Sequence, residues 1–254
     1  MKHKWKIIML LIPLLLMLTA CGSSEETHTD THWGYEGAEG PTHWGDLNEA
    51  YTACKDGMAQ SPIDITNPSG AELGEITFNY VPSAVNILNN GHTVQVNYDQ
   101  GSYIEVDGTR YNLLQFHFHA PSEHAIAGKL AEMELHLVHS DADGNLAVVG
   151  VMLYEGKENN AYHPVMDNLP AEENPETNAG TTVNAFDLLP NEKTYYTYPG
   201  SLTTPPCSEG VRWLLLNTPV ELSSAQIEAY TDIYLGNNRP VQPLNDRTIL
   251  EQEG

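Results

Sequence analysis

Two short segments, Gln115-Phe-His-Phe-His119 and Glu134-Leu-His-Leu-Val-His139, carry the residues of this chain best suited to chemistry. Successive side chains of a β-strand point to opposite faces. Read as a strand, the first segment puts Gln115, His117 and His119 on one face and Phe116 and Phe118 on the other. The second puts Glu134, His136 and Val138 together, opposite Leu135, Leu137 and His139. Side by side, the two strands would aim His117, His119 and His136 at one point. Three neutral nitrogens with an open fourth position make a catalytic zinc site, whereas a structural site is closed by four protein ligands. A lone strand histidine is ordinarily structural, but three unpaired imidazoles are costly to bury on one face. Zn2+ is therefore the expected cofactor. A zinc-bound histidine passes its second N–H to a carboxylate or carbonyl. Gln115, two residues before His117, and Glu134, two before His136, are placed to accept it.

Strand signals dominate the elements that must position these groups. Short apolar-polar or apolar runs occur at residues 93–98, 111–119, 133–139, 146–154 and 211–216, with Asn-Gly and Asp-Gly turn material between several of them. One helix is expected late in the chain. Ser223 and Gln226 fit a capping box, Ile227, Tyr230 and Tyr234 recur at helical spacing, and Gly236 is placed to stop it. At 254 residues, a single mainly β domain is expected: a large, twisted, mostly antiparallel central sheet with a few short peripheral helices.

The N-terminus differs in kind. Lys2, Lys4 and Lys6 precede an apolar run, residues 7–18, too short to span a bilayer and interrupted by Pro13. It ends in Leu18-Thr-Ala-Cys21, the pattern of a bacterial lipoprotein signal. The expected organisation is a signal peptide at 1–20, a lipid-anchored polar linker at 21–31 beginning at lipidated Cys21, and a folded domain at 32–254. Anchoring would be firm with two or more acyl chains. It would leave the domain outside the cytoplasm, at the cell surface or in a periplasm, touching membrane through the lipid alone. Cys54 and Cys207 remain, either paired as a disulfide or present as two thiols, the first suiting that compartment. The chain has 11 Lys and Arg against 34 Asp and Glu, a formal charge of −23. Such acidity excludes nucleic acid as a partner and would be repelled by anionic membrane surfaces.

Together with the two histidine segments, a series of motifs resembles the α-class carbonic anhydrases, here of a bacterial, lipoprotein type. They are Trp33-Gly-Tyr35, Gly40-Pro-Thr-His-Trp44, Gln60-Ser-Pro-Ile-Asp-Ile65, Asn89-Asn-Gly-His92, Ser122-Glu-His124, Tyr198-Pro-Gly-Ser-Leu-Thr-Thr-Pro-Pro206 and Asn238-Arg-Pro240. They run in family order from about His32 to Arg247. The resemblance implies zinc at the base of a cleft and reversible hydration of CO2 to bicarbonate and a proton by zinc-bound hydroxide. His117, His119 and His136 match the family's zinc ligands. Carbonic anhydrase is itself the standard example of zinc bringing the pKa of bound water to about 7.

Further roles come from the same resemblance. Thr203 matches the threonine that orients the hydroxide, and Glu123 the carboxylate that accepts its proton, since an ionised carboxylate only accepts. Val138, Val148, Leu202, Val211 and Trp213 match positions lining an apolar CO2 pocket, with Thr204 near departing bicarbonate. His92 matches the proton-shuttle histidine, a role suited to an imidazole that titrates near neutrality. Tyr35, Asn90 and Gln95 match positions that organise the connecting waters. Cys54 and Cys207 match a disulfide of extracytoplasmic members, expected to help hold Thr203 in place.

Some residues stand apart from these roles. His139 is expected to be structural, and His124 to buttress the groups behind the metal. Ala120 replaces a tryptophan common in animal members, and residues 156–180 have no clear counterpart in the family. Two other functions compete: a silent binding module, which would typically lack a ligand histidine, and a zinc-capturing lipoprotein, which would need neither Thr203–Glu123 nor a shuttle. Oligomeric state is left open, a homodimer included.

Overall fold

The computed structural model describes residues 31–253. The expected signal at 1–20, the lipidation site Cys21 and the linker up to Asp30 lie outside the described residues. Thr31, the last residue assigned to the linker, is hydrogen-bonded to the domain. Its Oγ1 accepts from Asn48 Nδ2 at 2.7 Å and its carbonyl from Tyr51 OH at 3.3 Å.

A twelve-stranded mixed sheet organises the domain. Across it run Asn174–Val183, Ser83–Asn89, Val94–Asn97, Thr109–His119, Met133–Ser140, Leu146–Glu155, Glu209–Leu222, Tyr195–Ser201, Leu250–Gln252 and Ser69–Ala71. Thr77–Asn79 pairs with Tyr103–Val106, which in turn joins Thr109–His119. Neighbours are antiparallel except for Leu146–Glu155 beside Glu209–Leu222 and Leu250–Gln252 beside Ser69–Ala71. Helices are few and short: Trp44–Leu47, Ala53–Asp56, His163–Met166 and Ser224–Thr231.

Alternation gives the sheet two apolar faces. Phe116, Phe118, Leu135, Leu137, Val149, Val151, Leu214 and Leu216 pack into the main core. Val148, Met152, Val211, Trp213 and Leu215 pack into a second cluster. Phe116 and Phe118 are fully buried, each contributing roughly 1.5–3 kcal/mol by leaving water. Opposite them on the same strand stand the histidines.

Three local features depart from expectation. The strand over 111–119 does not alternate without interruption. Tyr111 and Leu113 enter the same core as Phe116 and Phe118, because pairing slips between Leu113 and Gln115 and leaves Leu114 46% exposed. The extra residue of such a bulge reverses the face of everything after it. The late helix keeps its capping box at Ser223 and Gln226 but ends at Thr231. Tyr234 and Gly236 lie beyond it, Gly236 at φ 88° with its N–H donated to Ala120 O. Residues 156–180, without a clear counterpart in the family, supply an edge strand, Asn174–Val183.

Candidate active site

Register brings the ligand candidates together. His117 lies directly opposite His136, and His119 opposite Glu134, on adjacent antiparallel strands. The ring centroids of His117, His119 and His136 are 4.7–5.3 Å apart. One nitrogen of each lies within 4.8 Å of the others.

The remaining nitrogens are committed to hydrogen bonds. His117 Nδ1 donates to Gln115 Oε1 at 2.8 Å, His119 Nδ1 to the Asn237 carbonyl at 2.6 Å, and His136 Nε2 to Glu134 Oε1 at 2.8 Å. A neutral imidazole that donates from one nitrogen offers a lone pair from the other. His117 Nε2, His119 Nε2 and His136 Nδ1 therefore converge as three acceptors with no donor between them. Burial holds all three histidines below their ordinary pKa, His119 at about 4. His119 Nε2 and Glu123 Oε2 are buried without hydrogen-bond partners and stand 3.4 Å apart. Three neutral nitrogens converging on one buried point suit Zn2+.

Glu134 is saturated behind this point. Its Oε1 accepts from His136 and from His124 Nδ1 at 2.7 Å, and its Oε2 accepts from the backbone N–H of Glu123 at 2.9 Å and of His124 at 2.8 Å. Burial opposes its ionisation, but the facing histidines and their hydrogen bonds win and hold it well below the usual carboxylate range. His124 Nε2 continues to Tyr198 OH at 2.7 Å, which reaches Ser61 Oγ at 2.9 Å. His139 turns the other way, between Tyr80 OH and the Ala147 carbonyl.

Glu123 is completely buried, and burial raises its pKa to about 7 against the opposing pull of His136, the Arg239 N–H and Thr203. Its Oε1 accepts from Arg239 N at 2.8 Å. Thr203 is near enough to favour the carboxylate, yet its hydroxyl makes no aligned bond and Oε2 is left free. Val148, Val211 and Trp213 are buried in the second cluster, with Val138 and Leu202 packed against it. The Trp213 ring meets that of His136 edge-on at 4.9 Å.

A cleft of about 130 Å³ opens beside His117 and His119. Tyr35, Asn90, His92, Gln95 and Thr204 line it with His117 and His119. Asn90 Oδ1 accepts from the backbone N–H of His92 and Thr93, fixing the turn. The His92 ring stacks on Trp33 with centroids 3.6 Å apart and planes at 7°. Gln95 donates to Asn97 Oδ1 at 2.6 Å. A larger groove, about 790 Å³, lies among other residues including Lys157, Asp187, Glu192 and Glu221, and holds none of these histidines.

Beyond the expected set, the site uses Asn237, Arg239, Tyr198 and Trp33. Asn237 supports His119 through a backbone carbonyl, which side-chain identity does not signal. Arg239, Tyr198 and Trp33 lie within the motifs quoted above, where their contacts were hidden.

Comparison with known proteins decides what this site belongs to. Residues 39–253 match the family model described as eukaryotic-type carbonic anhydrase. The chain belongs to the α-type carbonic anhydrase family. It is 42% identical to the carbonic anhydrase of Nostoc sp. over 92% of this chain and 90% of that protein. It is 44% identical to that of Klebsiella pneumoniae over 87% and 91% of the two chains. Among solved structures, a hyperthermostable carbonic anhydrase from an active hydrothermal vent chimney matches with TM-score 0.84 and 53% identity, covering 87% of this chain and 100% of that one. The α-carbonic anhydrase of Thermovibrio ammonificans, bound to sulfanilamide, matches with TM-score 0.84 and 46% identity over 88% and 99%. The large strand-rich sheet is the fold of this family, and the chain is a carbonic anhydrase, a lyase, acting on CO2 and bicarbonate.

Cys54 and Cys207 form a disulfide. That pairing suits an extracytoplasmic carbonic anhydrase. No helix among the described residues is long and apolar enough to cross a membrane.

Proposed function

We propose that this carbonic anhydrase hydrates CO2 reversibly with zinc held by His117, His119 and His136 and a proton shuttle at His92. It would work outside the cytoplasm, tethered by lipid at Cys21. The observation that carries the zinc assignment is the convergence of three lone pairs whose opposite nitrogens are tied to Gln115, Asn237 and Glu134. Zinc at this point supplies Lewis acidity, making water nucleophilic near neutral pH.

The chain's own residues do the rest. Val138, Val148, Leu202, Val211 and Trp213 offer CO2 an apolar surface beside the ligands. Glu123 keeps Oε2 free to accept the Thr203 hydroxyl, which directs Thr203 oxygen toward the nucleophile as acceptor. Thr204 stands where bicarbonate leaves. As the C–O bond forms, water gives up a proton, and His92 takes it through waters ordered by Tyr35, Asn90 and Gln95. Lipid anchoring rests on the Leu18-Thr-Ala-Cys21 pattern.

Stopped-flow hydration with a pH indicator tests this reading. His117→Ala should lose zinc and turnover together. His92→Ala should lose about tenfold or more in kcat at low buffer, with recovery at high imidazole concentration. Zinc-loaded wild type without turnover would overturn the catalytic assignment, and a His92→Ala defect insensitive to buffer would overturn the shuttle.

A further inference from the structure

Glu173 belongs to the 156–180 stretch for which the family resemblance offers no counterpart. Its exposed carboxylate lies over the turn that carries His92. A Cβ built on Gly91 would stand 3.0 Å from Glu173 Oε1 and 3.3 Å from its Cδ. This placement is held from both sides. Asn89 N donates to Asn174 Oδ1 at 2.8 Å, and Asn89 Nδ2 donates to the Pro170 carbonyl at 3.1 Å. Asn89 Oδ1 in turn accepts from Gly91 N at 3.0 Å and Tyr234 OH at 2.5 Å. One buried asparagine thus clamps the Pro170–Asn174 segment to the turn. Among the described residues, no Lys or Arg forms an ion pair with Glu173.

Several elements surround the His92 ring. Trp33 stacks on one face. His32, on the same N-terminal segment, opposes a positive charge on His92 and pairs with Glu39 at 3.4 Å. Tyr35, His117 and His119 line the cleft beyond. Burial and His32 both disfavour the imidazolium, and Glu173 is the carboxylate that favours it.

We propose that Glu173 is a positioning residue for proton transfer, stabilising the protonated form of His92 at the mouth of the cleft. This rests on the shuttle assignment for His92. A carboxylate above this turn raises the fraction of His92 that holds the proton leaving water, so uptake from the cleft is favoured. Glu173 forms no bond to substrate and changes no other step.

The test compares wild type with Glu173→Gln and Glu173→Lys. In NMR titration of the zinc-loaded enzyme, the His92 midpoint should fall by about 0.2–0.7 unit in Glu173→Gln, as for an exposed charge pair, and further in Glu173→Lys. In the loaded enzyme, buffer-limited kcat for hydration should fall about two- to threefold with kcat/KM unchanged, while dehydration does not slow. Imidazole buffer should erase the hydration defect. A purely structural effect would slow both directions and resist rescue, and would overturn the proposal. An unmoved His92 midpoint would also overturn it. His92→Ala separates the two readings: loss of its buffer-rescued defect removes the shuttle itself, whereas a preserved defect beside a silent Glu173→Gln removes only this inference.

Discussion

Glu134 shows how much the proposed zinc centre asks of a residue that need not touch the metal. One carboxylate accepts four hydrogen bonds, two from imidazoles and two from backbone N–H groups. Glutamine at this position keeps the shape but replaces one acceptor oxygen with a donor, which must face His136, His124 or the backbone donors. Glu134→Gln should weaken zinc about 10- to 100-fold, read by competition with a chelator. Unchanged affinity would mean that His136 keeps its orientation without the carboxylate. His139 has the opposite character. Burial holds it at about 3, below the roughly 6.5 of an unfolded histidine. The unfolded chain therefore takes up this proton first as pH falls. The stability it contributes is whole above about 6.5 and is lost progressively toward pH 3. His139→Gln should flatten the unfolding free energy against pH by up to one proton in that window, and identical slopes would exclude its titration. At this scale the side-chain pairs Gln115–His117 and Glu134–His136 were legible, because a two-residue offset shares a strand face. Asn237 was not, because it acts on His119 through a carbonyl that every residue possesses.

Strands were legible where one face is greasy and the other polar, and lost where neither holds. Phe116 and Phe118 against His117 and His119 announce their strand. The bulge at Leu114 was hidden, since no glycine or proline marks the slip. Asn174–Val183 was hidden for a different reason: it is a mostly polar edge strand with Pro175 and two register shifts against Ser83–Asn89, and only Val183 and Ala179 of it reach the core. The same edge protects the sheet from pairing with another chain. Tyr195–Ser201 carries a constraint that its Gly200 does reveal. A Cβ there would stand 2.2 Å from Ser61 Oγ and 2.6 Å from Trp213 Cδ1. Gly200→Ala must displace one or both, overpacking the cluster where CO2 is proposed to sit. Denaturant unfolding should show a loss of about 1–3 kcal/mol, and kcat/KM for CO2 should fall while zinc content holds. Retained kcat/KM at reduced stability would separate Trp213 from the substrate surface.

The molecule as a whole is strung across distant parts of its sequence, and the disulfide shows this most plainly. Cys54 and Cys207 are separated by 153 residues, so the bridge closes most of the domain into one loop. Polar contacts run alongside it. Arg239 Nη2 donates to the Cys54 carbonyl at 2.8 Å, and Gln60 Nε2 to the Cys207 carbonyl at 3.1 Å. Cys207 N returns to Thr204 O at 2.8 Å, and Leu202 N to Ser208 O at 3.0 Å. Thr203 is therefore enclosed in a turn whose far end is the bridge, while the zinc candidates sit on central strands held by their own ladder. Removing both sulfurs should have two separable effects. Cys54→Ala with Cys207→Ala should lower unfolding free energy by about 2–5 kcal/mol, chiefly by freeing the unfolded chain, measured in guanidinium. Well below the melting temperature, zinc content should be unchanged because the side chains packed around the bridge, Trp33, Tyr35, Trp44, Leu47 and Tyr51, come from outside the ligand strands, yet kcat should fall as Thr203 loses its fixed position. A variant that is less stable but equally fast would leave the disulfide as a brace for the chain alone, with Arg239 and Gln60 sufficient to hold the Thr203 turn.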